Sequence, residues 1–239
     1  MKSNKFILYS IILSSLVFLF VSGTAIFLKF SEDRDPEIPD SVRNEIRKSA
    51  EKFQIPSSRI QSVERRIHTV FQGKASSPKN EVDTFKIVDD RYILKEGQGG
   101  EKELSLLGFF QLWQRLDLQY GGLTMRVLEE VILPNLDTLE KPNVIFSFKE
   151  KYRTEFKSTD SYTEYLTTCR TGSIIQASKV HKDISGIAIL ITCKTQLAGT
   201  PGSKSRGYYF PRLGWYFATN FENDFYKGHY EILSVKLIQ

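Results

Sequence analysis

The sequence predicts an α+β protein in which an N-terminal transmembrane helix precedes amphipathic helices packed on a curved antiparallel β-meander. Three observations lead to this prediction. An uncharged apolar run covers residues 6–28, apolar residues recur at helical spacing as far as about residue 142, and from Asn143 onward they alternate with polar residues. A chain in which helices are followed by strands is typical of an α+β domain, whose helices cover one face of the sheet.

The run from Phe6 to Leu28 contains 23 residues, enough to cross the hydrocarbon core of a bilayer as a helix. Two lysines precede it, whereas the segment after Lys29, SEDRDPEIPD, is mostly acidic. This asymmetry predicts a single-pass protein of the cell membrane with a cytoplasmic amino terminus and with residues 31–239 outside the cytoplasm, in the periplasm or an equivalent space. The alternative is a signal peptide cleaved after Ala25, which exports the same residues.

The predicted organisation has three parts. Residues 1–30 form the anchor, residues 31–40 form an acidic spacer that contains proline, and residues 41–239 form one extracytoplasmic domain. Within that domain, 41–142 is predicted to be helical and 143–239 to be β-rich. The chain has 41% hydrophobic residues, 26% charged residues and a net charge of +5, which is ordinary for a globular protein. This small basic excess does not indicate nucleic-acid binding.

Four helices are predicted in the first half of the domain, at residues 40–53, 58–71, 104–120 and 124–134. The first two have one apolar face each, and the third, LSLLGFFQLWQRLDLQY, is apolar on nearly all sides, as in a central buried helix. The segment 83–97 is short and β-like. Strand candidates then follow at 143–156, 161–170, 172–180, 184–196, 206–210, 213–221 and 229–238.

The order of anchor, helices and meander resembles that of cone-shaped pocket domains with the NTF2-like fold. The likeness is one of order and length, without a shared motif. It implies a fold with a pocket between helices and sheet, and it implies no particular activity.

No linear motif for catalysis or cofactor binding is present. The string GTPGSKSRG at 199–207 lacks the glycine that precedes the lysine in a phosphate-binding loop, and predicts a hairpin loop. His68, His181 and His229 lie far apart in sequence, with no paired spacing that would indicate a shared metal. We therefore expect no cofactor, no metal and no enzymatic activity; a hydrolase whose residues meet only in three dimensions is a further alternative.

The stretch from Tyr208 to Tyr230 contains ten aromatic residues. Because consecutive strand residues point to opposite faces, these side chains cannot all enter one core. One interpretation is a sheet that is covered on both faces. The other is an exposed aromatic and basic face that binds a protein partner or borders a ligand pocket. The candidate residues of this face are Lys204, Arg206, Tyr208, Tyr209, Arg212, Trp215 and Tyr216.

These observations predict a membrane-anchored, non-catalytic interaction or assembly subunit, whose domain contacts a protein partner through the aromatic and basic face. The alternative function is a cone-shaped pocket domain that binds a small molecule or a lipid. An exposed flat aromatic patch would favour the first function, and an apolar cavity the second.

The chain has two cysteines, Cys169 and Cys193. If the segment 161–180 contains two strands, the cysteines lie two strands apart, at about 10 Å, which is too far for a disulfide. If it is one long strand with a bulge at Gly172, the cysteines lie nearly opposite each other on neighbouring strands. The turn signal at Gly172 is weak, which favours the long strand. The sequence therefore predicts a structural Cys169–Cys193 disulfide.

Overall fold

The described part of the chain consists mainly of β-strands. The computed structural model of the chain describes residues 35–50, 53, 60–88, 92–97, 100–118, 122–156, 159–197 and 200–238. In these ranges one α-helix, α1 (Asp40–Ser49), precedes the strands, and three 3-10 helices lie between them, at Leu136–Glu140, Ala177–Lys179 and Pro211–Leu213. The described strands are β1 (Ile60–Phe71), β2 (Lys74–Ala75), β3 (Lys79–Val88), β4 (Tyr92–Glu96), β5 (Lys102–Leu106), β6 (Phe110–Leu118), β7 (Gly122–Ile132), β8 (Ile145–Phe156), β9 (Thr159–Gln176), β10 (Ile187–Leu197), β11 (Thr200–Phe210), β12 (Trp215–Glu222) and β13 (Tyr226–Leu237).

The strands form a closed antiparallel barrel. Strands β3 to β13 pair in chain order, β1 pairs with β3, and β13 returns to pair with β1 along its length, from Ile60↔Leu237 to Phe71↔Tyr226. The two-residue strand β2 pairs only with the end of β1. The other twelve strands therefore form the barrel wall, which the pairing of β13 with β1 closes.

The predicted α+β class is wrong, and the structure is not an NTF2-like cone. Within the segments predicted as helices at 58–71, 104–120 and 124–134, residues 60–71 form β1, residues 104–118 lie in the β5–β6 hairpin, and residues 124–132 lie in β7. All three regions contain a β-bulge, where one strand has an extra residue relative to its partner. A bulge interrupts the alternation of a strand, so buried residues follow at the irregular spacings that a helix would also produce.

Helix α1 is the part of the predicted helical region that is present. Its apolar residues Val42 and Ile46 are fully buried. The carboxylate of Glu45 accepts a hydrogen bond from the backbone N–H of Leu133, and the hydroxyl of Ser41 donates to the carbonyl of Glu129, each at 3.2 Å. The helix is thereby fixed to the end of β7.

The predicted membrane anchor at 6–28 lies outside the described residues. Among the residues that the structure describes, no helix is both long enough and apolar enough to cross a membrane. The assignment of the chain as a single-pass protein with a signal anchor therefore has no support in the structure. The chain divides into two compact units, Met1–Glu37 and Ile38–Gln239, and α1 and the barrel belong to the second.

A contact across the barrel joins two elements that are not neighbours in its wall. The backbone N–H of Tyr216, near the start of β12, donates a hydrogen bond of 2.9 Å to the carbonyl of Leu107, in the turn between β5 and β6. This N–H is available because β12 pairs with β13 only over Asn220–Glu222. We call this contact the cross-barrel contact.

Apolar side chains lie on both faces of β12 near the cross-barrel contact, because consecutive strand residues point to opposite faces. Tyr209 and Tyr216 pack in one cluster with Phe110 and Phe148, whereas Phe210 and Trp215 pack in a second cluster with members that include Phe85, Ile93 and Val63. The rings of Phe85 and Trp215 meet edge to face at 6.0 Å. Of the two interpretations of the aromatic stretch, the structure therefore shows a sheet segment that is covered on both faces.

The segment 159–176 forms one long strand, β9, with a register shift against β10 at residues 172 and 173. Beyond this shift, Cys169 and Cys193 lie directly opposite each other and form a disulfide. Both cysteines are buried in the first cluster. The bond covalently joins two strands that already pair by backbone hydrogen bonds.

Gly108 gives a test of the cross-barrel contact. It has a φ of +65°, and a Cβ at this position would lie 2.8 Å from Cδ1 of Trp215 and 3.2 Å from the carbonyl oxygen of Tyr216. Gly108→Ala should therefore force the β5–β6 turn away from β12 and lower the free energy of unfolding by about 1 to 3 kcal/mol beyond the backbone strain. Urea denaturation measures the loss.

Gly73→Ala is the matched control. Gly73 has a φ of +77°, but no atom lies within 4 Å of the added Cβ, so this variant carries the backbone strain alone. Equal losses of stability in the two variants would show that the cross-barrel contact is not tightly packed at Gly108.

Candidate ligand cavity

A cavity of about 610 Å³ lies inside the barrel against strands β6 to β12. Its wall is made by side chains that alternate along each strand with outward-facing ones: on β8, Phe148, Glu150 and Tyr152 line the cavity and the intervening Lys149 does not. The volume is within the range of small-molecule sites, about 300 to 1,000 Å³. The cavity is therefore our candidate functional site.

Arg126 brings a positive charge into the wall of this cavity. Its guanidinium carbon lies 3.8 Å from the ring centre of Tyr152 and 4.9 Å from that of Tyr165. The two rings meet nearly edge to face, with centres 5.9 Å apart. Cation–π contacts of this kind hold a guanidinium in place without neutralising it. Within the described part of the chain, Arg126 makes no salt bridge and donates no hydrogen bond.

Glu150 is the carboxyl group nearest to this arrangement in the wall, and it is a poor counter-ion. The hydroxyl of Tyr152 lies 2.9 Å from Oε1 of Glu150 and also 2.9 Å from the carbonyl oxygen of Gln111. A tyrosine hydroxyl has one hydrogen and cannot donate fully to both. If Glu150 is protonated, it donates to the Tyr152 oxygen, and Tyr152 donates to Gln111.

The electrostatics favour that protonated form. Burial raises the pKa of Glu150 to about 7, and this effect outweighs the opposing hydrogen bond from Tyr152 and the positive charge of Arg126. At neutral pH the carboxyl is therefore neutral in a large fraction of molecules. The charge of Arg126 is then left without an anionic partner in the cavity wall.

A second, smaller cavity of about 250 Å³ shares Tyr216 and Phe221 with the first but differs in its charges. Here the cations are paired: Nε of Arg65 lies 3.1 Å from Asp83, and Nζ of Lys95 lies 3.2 Å from Glu103. Burial raises the pKa of Asp83, against the attraction of Arg65. The charges of Arg65 and Lys95 are thus paired with nearby carboxylates, although Nε of Arg65 makes no hydrogen bond to a described residue.

The residues of the predicted aromatic and basic face are not brought together. Tyr209 and Trp215 are 0% and 3% exposed and belong to different clusters. Tyr208 is half-buried at the second cluster, and the side chains of Lys204, Arg206 and Arg212 are exposed. Of the predicted set, Tyr216 lines the larger cavity. The string predicted as a hairpin loop is mostly part of β11.

Sequence reasoning missed Arg126, Glu150, Tyr152 and Tyr165. The sequence of β8 does contain a usable signal. Glu150 and Tyr152 continue the alternation set by Phe146 and Phe148, so the carboxylate of Glu150 lies on the same face of the strand as the core residues. Burial of a charged residue on the apolar face of a strand costs free energy, and such residues are often functional. Arg126 carries no such signal, because the bulge in β7 obscures the alternation.

The sequence matches no family model, and no curated protein matches it. Among solved structures, the chain is similar to the hypothetical lipoprotein YmcC from Escherichia coli (K12). The two chains are 8% identical and superpose with a TM-score of 0.43, over 85% of this chain and 100% of that chain.

The raised pKa of Glu150 predicts a specific pH dependence of stability. The pKa is about 7 in the folded protein and 4.5 for an unperturbed glutamate, so the folded state holds a proton that the unfolded state releases between these values. This contribution to stability is complete below pH 4.5 and is lost as the pH rises through 7, by up to about 3 kcal/mol. Urea unfolding between pH 5 and pH 8 measures it.

Glu150→Gln should remove this loss of stability between pH 5 and pH 8. The control is Glu164→Gln, at an exposed position on the neighbouring strand β9, which should retain the pH dependence of the unchanged protein. If Glu150→Gln keeps the same dependence, Glu150 is not the buried titrating group.

Proposed function

We propose that the barrel is a binding domain for a small organic carboxylate, with Arg126 as the anchor for the carboxylate group. The observation that carries this proposal is the guanidinium held between Tyr152 and Tyr165 in the cavity wall without an anionic partner. The planar guanidinium fork matches the geometry of a carboxylate, and two parallel hydrogen bonds can form. A charge in a partly buried wall also gains most from a ligand that neutralises it.

The remaining wall supports a ligand with an apolar body. Aromatic and aliphatic side chains line much of the cavity, among them Phe109, Phe148, Leu197 and Phe221. The hydroxyls of Thr167 and Thr195 hydrogen-bond to each other at 3.0 Å. They therefore need fewer hydrogen bonds from a polar group of the ligand. A fatty acid or an aromatic acid combines the required carboxylate with such a body.

Glu150 makes the proposed binding depend on protons. A neutral Glu150 leaves Arg126 available to the ligand, whereas an ionised Glu150 attracts Arg126 and repels a ligand carboxylate. Affinity for the carboxylate should therefore be greatest below the pKa of about 7 of this group.

We infer that the domain works outside the cytoplasm. The Cys169–Cys193 disulfide supports this location, because structural disulfides persist in oxidising compartments and are rare in a reducing cytosol. Its position in the core, between paired strands, favours a structural role over a redox role.

The carboxylate anchor can be tested with dodecanoate and 2-naphthoate, each compared with its neutral primary amide. Calorimetric titration of the full-length protein should show that both acids bind more tightly than their amides. Arg126→Gln should weaken binding of the acids by roughly 10- to 100-fold, the worth of a charge-assisted hydrogen bond, and should leave the amides unaffected.

Arg206→Gln is the matched control, because Arg206 is exposed on β11 and does not line the cavity. It should bind the acids as the unchanged protein does, with an unchanged melting temperature. Equal affinity for acid and amide, or equal effects of the two arginine variants, would refute the carboxylate anchor.

The proton dependence gives a separate prediction. Between pH 6 and pH 8 the affinity of the unchanged protein for 2-naphthoate, which stays ionised throughout, should fall, because Glu150 ionises in this range. Glu150→Gln should remove the fall and bind more tightly at pH 8. An affinity that rises with pH in the unchanged protein would contradict the role given to Glu150.

A further inference from the structure

Two of the three histidines meet at the seam where the barrel closes. His68 on β1 and His229 on β13 are directly opposite each other in the strand register. Their ring centres are 6.0 Å apart, and the ring planes are inclined at 43°. Because β1 and β13 are the first and last strands of the wall, this pair connects the two ends of the sheet.

A third polar side chain extends the same row. Asn220 on β12 is the register partner of His229 on its other side, and its side-chain nitrogen lies 3.1 Å from Nδ1 of His229. His229 and Asn220 are exposed, and His68 is half-buried. The row therefore lies on the outer surface of three adjacent strands, where an ion from solution can reach it.

We propose that His68 and His229 bind one divalent transition-metal ion, Zn²⁺ or Cu²⁺, as a two-imidazole chelate whose remaining positions are filled by water. Imidazole nitrogens suit these ions and bind them at about 2.0 to 2.1 Å. Opposite residues on antiparallel strands have Cβ atoms about 4.5 to 5.5 Å apart, so side-chain rotation alone can direct one nitrogen of each ring at a common ion.

Asn220 would orient His229 for this role. Rotation of the Asn220 amide by 180° places its oxygen against Nδ1 of His229, where it accepts a hydrogen bond from the Nδ1–H group. Nε2 of His229 is then unprotonated and free for the metal. Polar groups that bond the second nitrogen of a ligating histidine in this way fix its tautomer and strengthen the site.

The charges beside the row neither block nor complete the site. Arg66 and Glu231, register partners two residues from His68 and His229, face each other with a separation of 3.8 Å. Their charges offset each other at this distance. Throughout the described ranges, no group of three or more histidine, cysteine, aspartate or glutamate side chains could hold a metal. The proposed site therefore has two protein ligands and binds more weakly than a four-ligand structural zinc site.

Metal binding at this seam would stabilise the closed barrel. An ion held by β1 and β13 together exists only when the two strands are paired, and a ligand that binds only the folded state stabilises it by mass action. The proposal is independent of the interior cavity, since His68 and His229 do not line it.

The test uses the full-length protein after treatment with a chelator. Titration calorimetry with Zn²⁺ and visible absorption with Cu²⁺ should each show one ion per chain. His68→Gln and His229→Gln should each reduce the affinity by at least about tenfold, since even the loss of a group that only orients a ligand costs this much. The double variant should bind Zn²⁺ more weakly than either single variant, because each single variant keeps one imidazole ligand and the double variant keeps none.

His181→Gln is the control, because Nε2 of His181 lies 3.1 Å from the carbonyl oxygen of Leu233, a contact that a glutamine amide can keep. It should leave Zn²⁺ affinity unchanged. Zn²⁺ should also raise the melting temperature of the unchanged protein and of His181→Gln, but not of the double variant.

Asn220 provides a second, graded test. Asn220→Asp should raise the affinity for Zn²⁺, because a carboxylate is a stronger acceptor for the Nδ1–H of His229, and Asn220→Leu should lower it. The proposal is overturned if Zn²⁺ fails to bind, or if the variant without His68 and His229 binds Zn²⁺ as tightly as the unchanged protein.

Discussion

The hydrogen bond between the Tyr216 N–H and the Leu107 carbonyl determines how the interior of the barrel is filled. Barrels of about eight strands are just wide enough for side chains to fill, and wider barrels leave open space. With twelve strands in the wall, this chain needs an additional element in its interior. The start of β12 supplies it by leaving β13 and approaching the β5–β6 turn, so that Trp215 and Tyr216 support separate apolar clusters.

Strand β12 also contributes to both cavities described above, which differ in character. Tyr216 and Phe221 line both, and the charged residues fall on either side of them. Around Arg65 and Lys95 the carboxylates are close and the charges are paired. Around Arg126 the partners are two aromatic rings and a glutamate that burial tends to neutralise. The smaller cavity thus has ion pairs that neutralise its charges. In the larger cavity, the positive charge of Arg126 is not neutralised by an ion pair among the described residues.

The sequence predicted the second half of the fold better than the first because the alternation of β8 is regular, with Phe146 and Phe148 buried and their neighbours exposed. In β1 the register shifts near Ser62 and Arg65, and its buried residues Ile60 and Val63 are three apart, as on a helix face. In β5–β6, apolar residues on all sides indicate burial but do not distinguish a helix from a hairpin. The candidate site was more difficult to predict than the fold. Arg126 and Tyr165 are far apart in sequence, and only the pairing register of the strands brings them together.

Closure between β1 and β13 also constrains the order of events during synthesis. The partner of Ile60 is Leu237, so the wall can be completed only after nearly the entire domain has been translated. Until then β1 and the most recently formed strand both present unpaired backbone groups, which are prone to pair with other chains. Pairings between residues so distant in sequence also form slowly. The barrel can therefore close only when β13 is available to pair with β1, and until then the unpaired edges of the incomplete sheet are the sites most prone to aggregation.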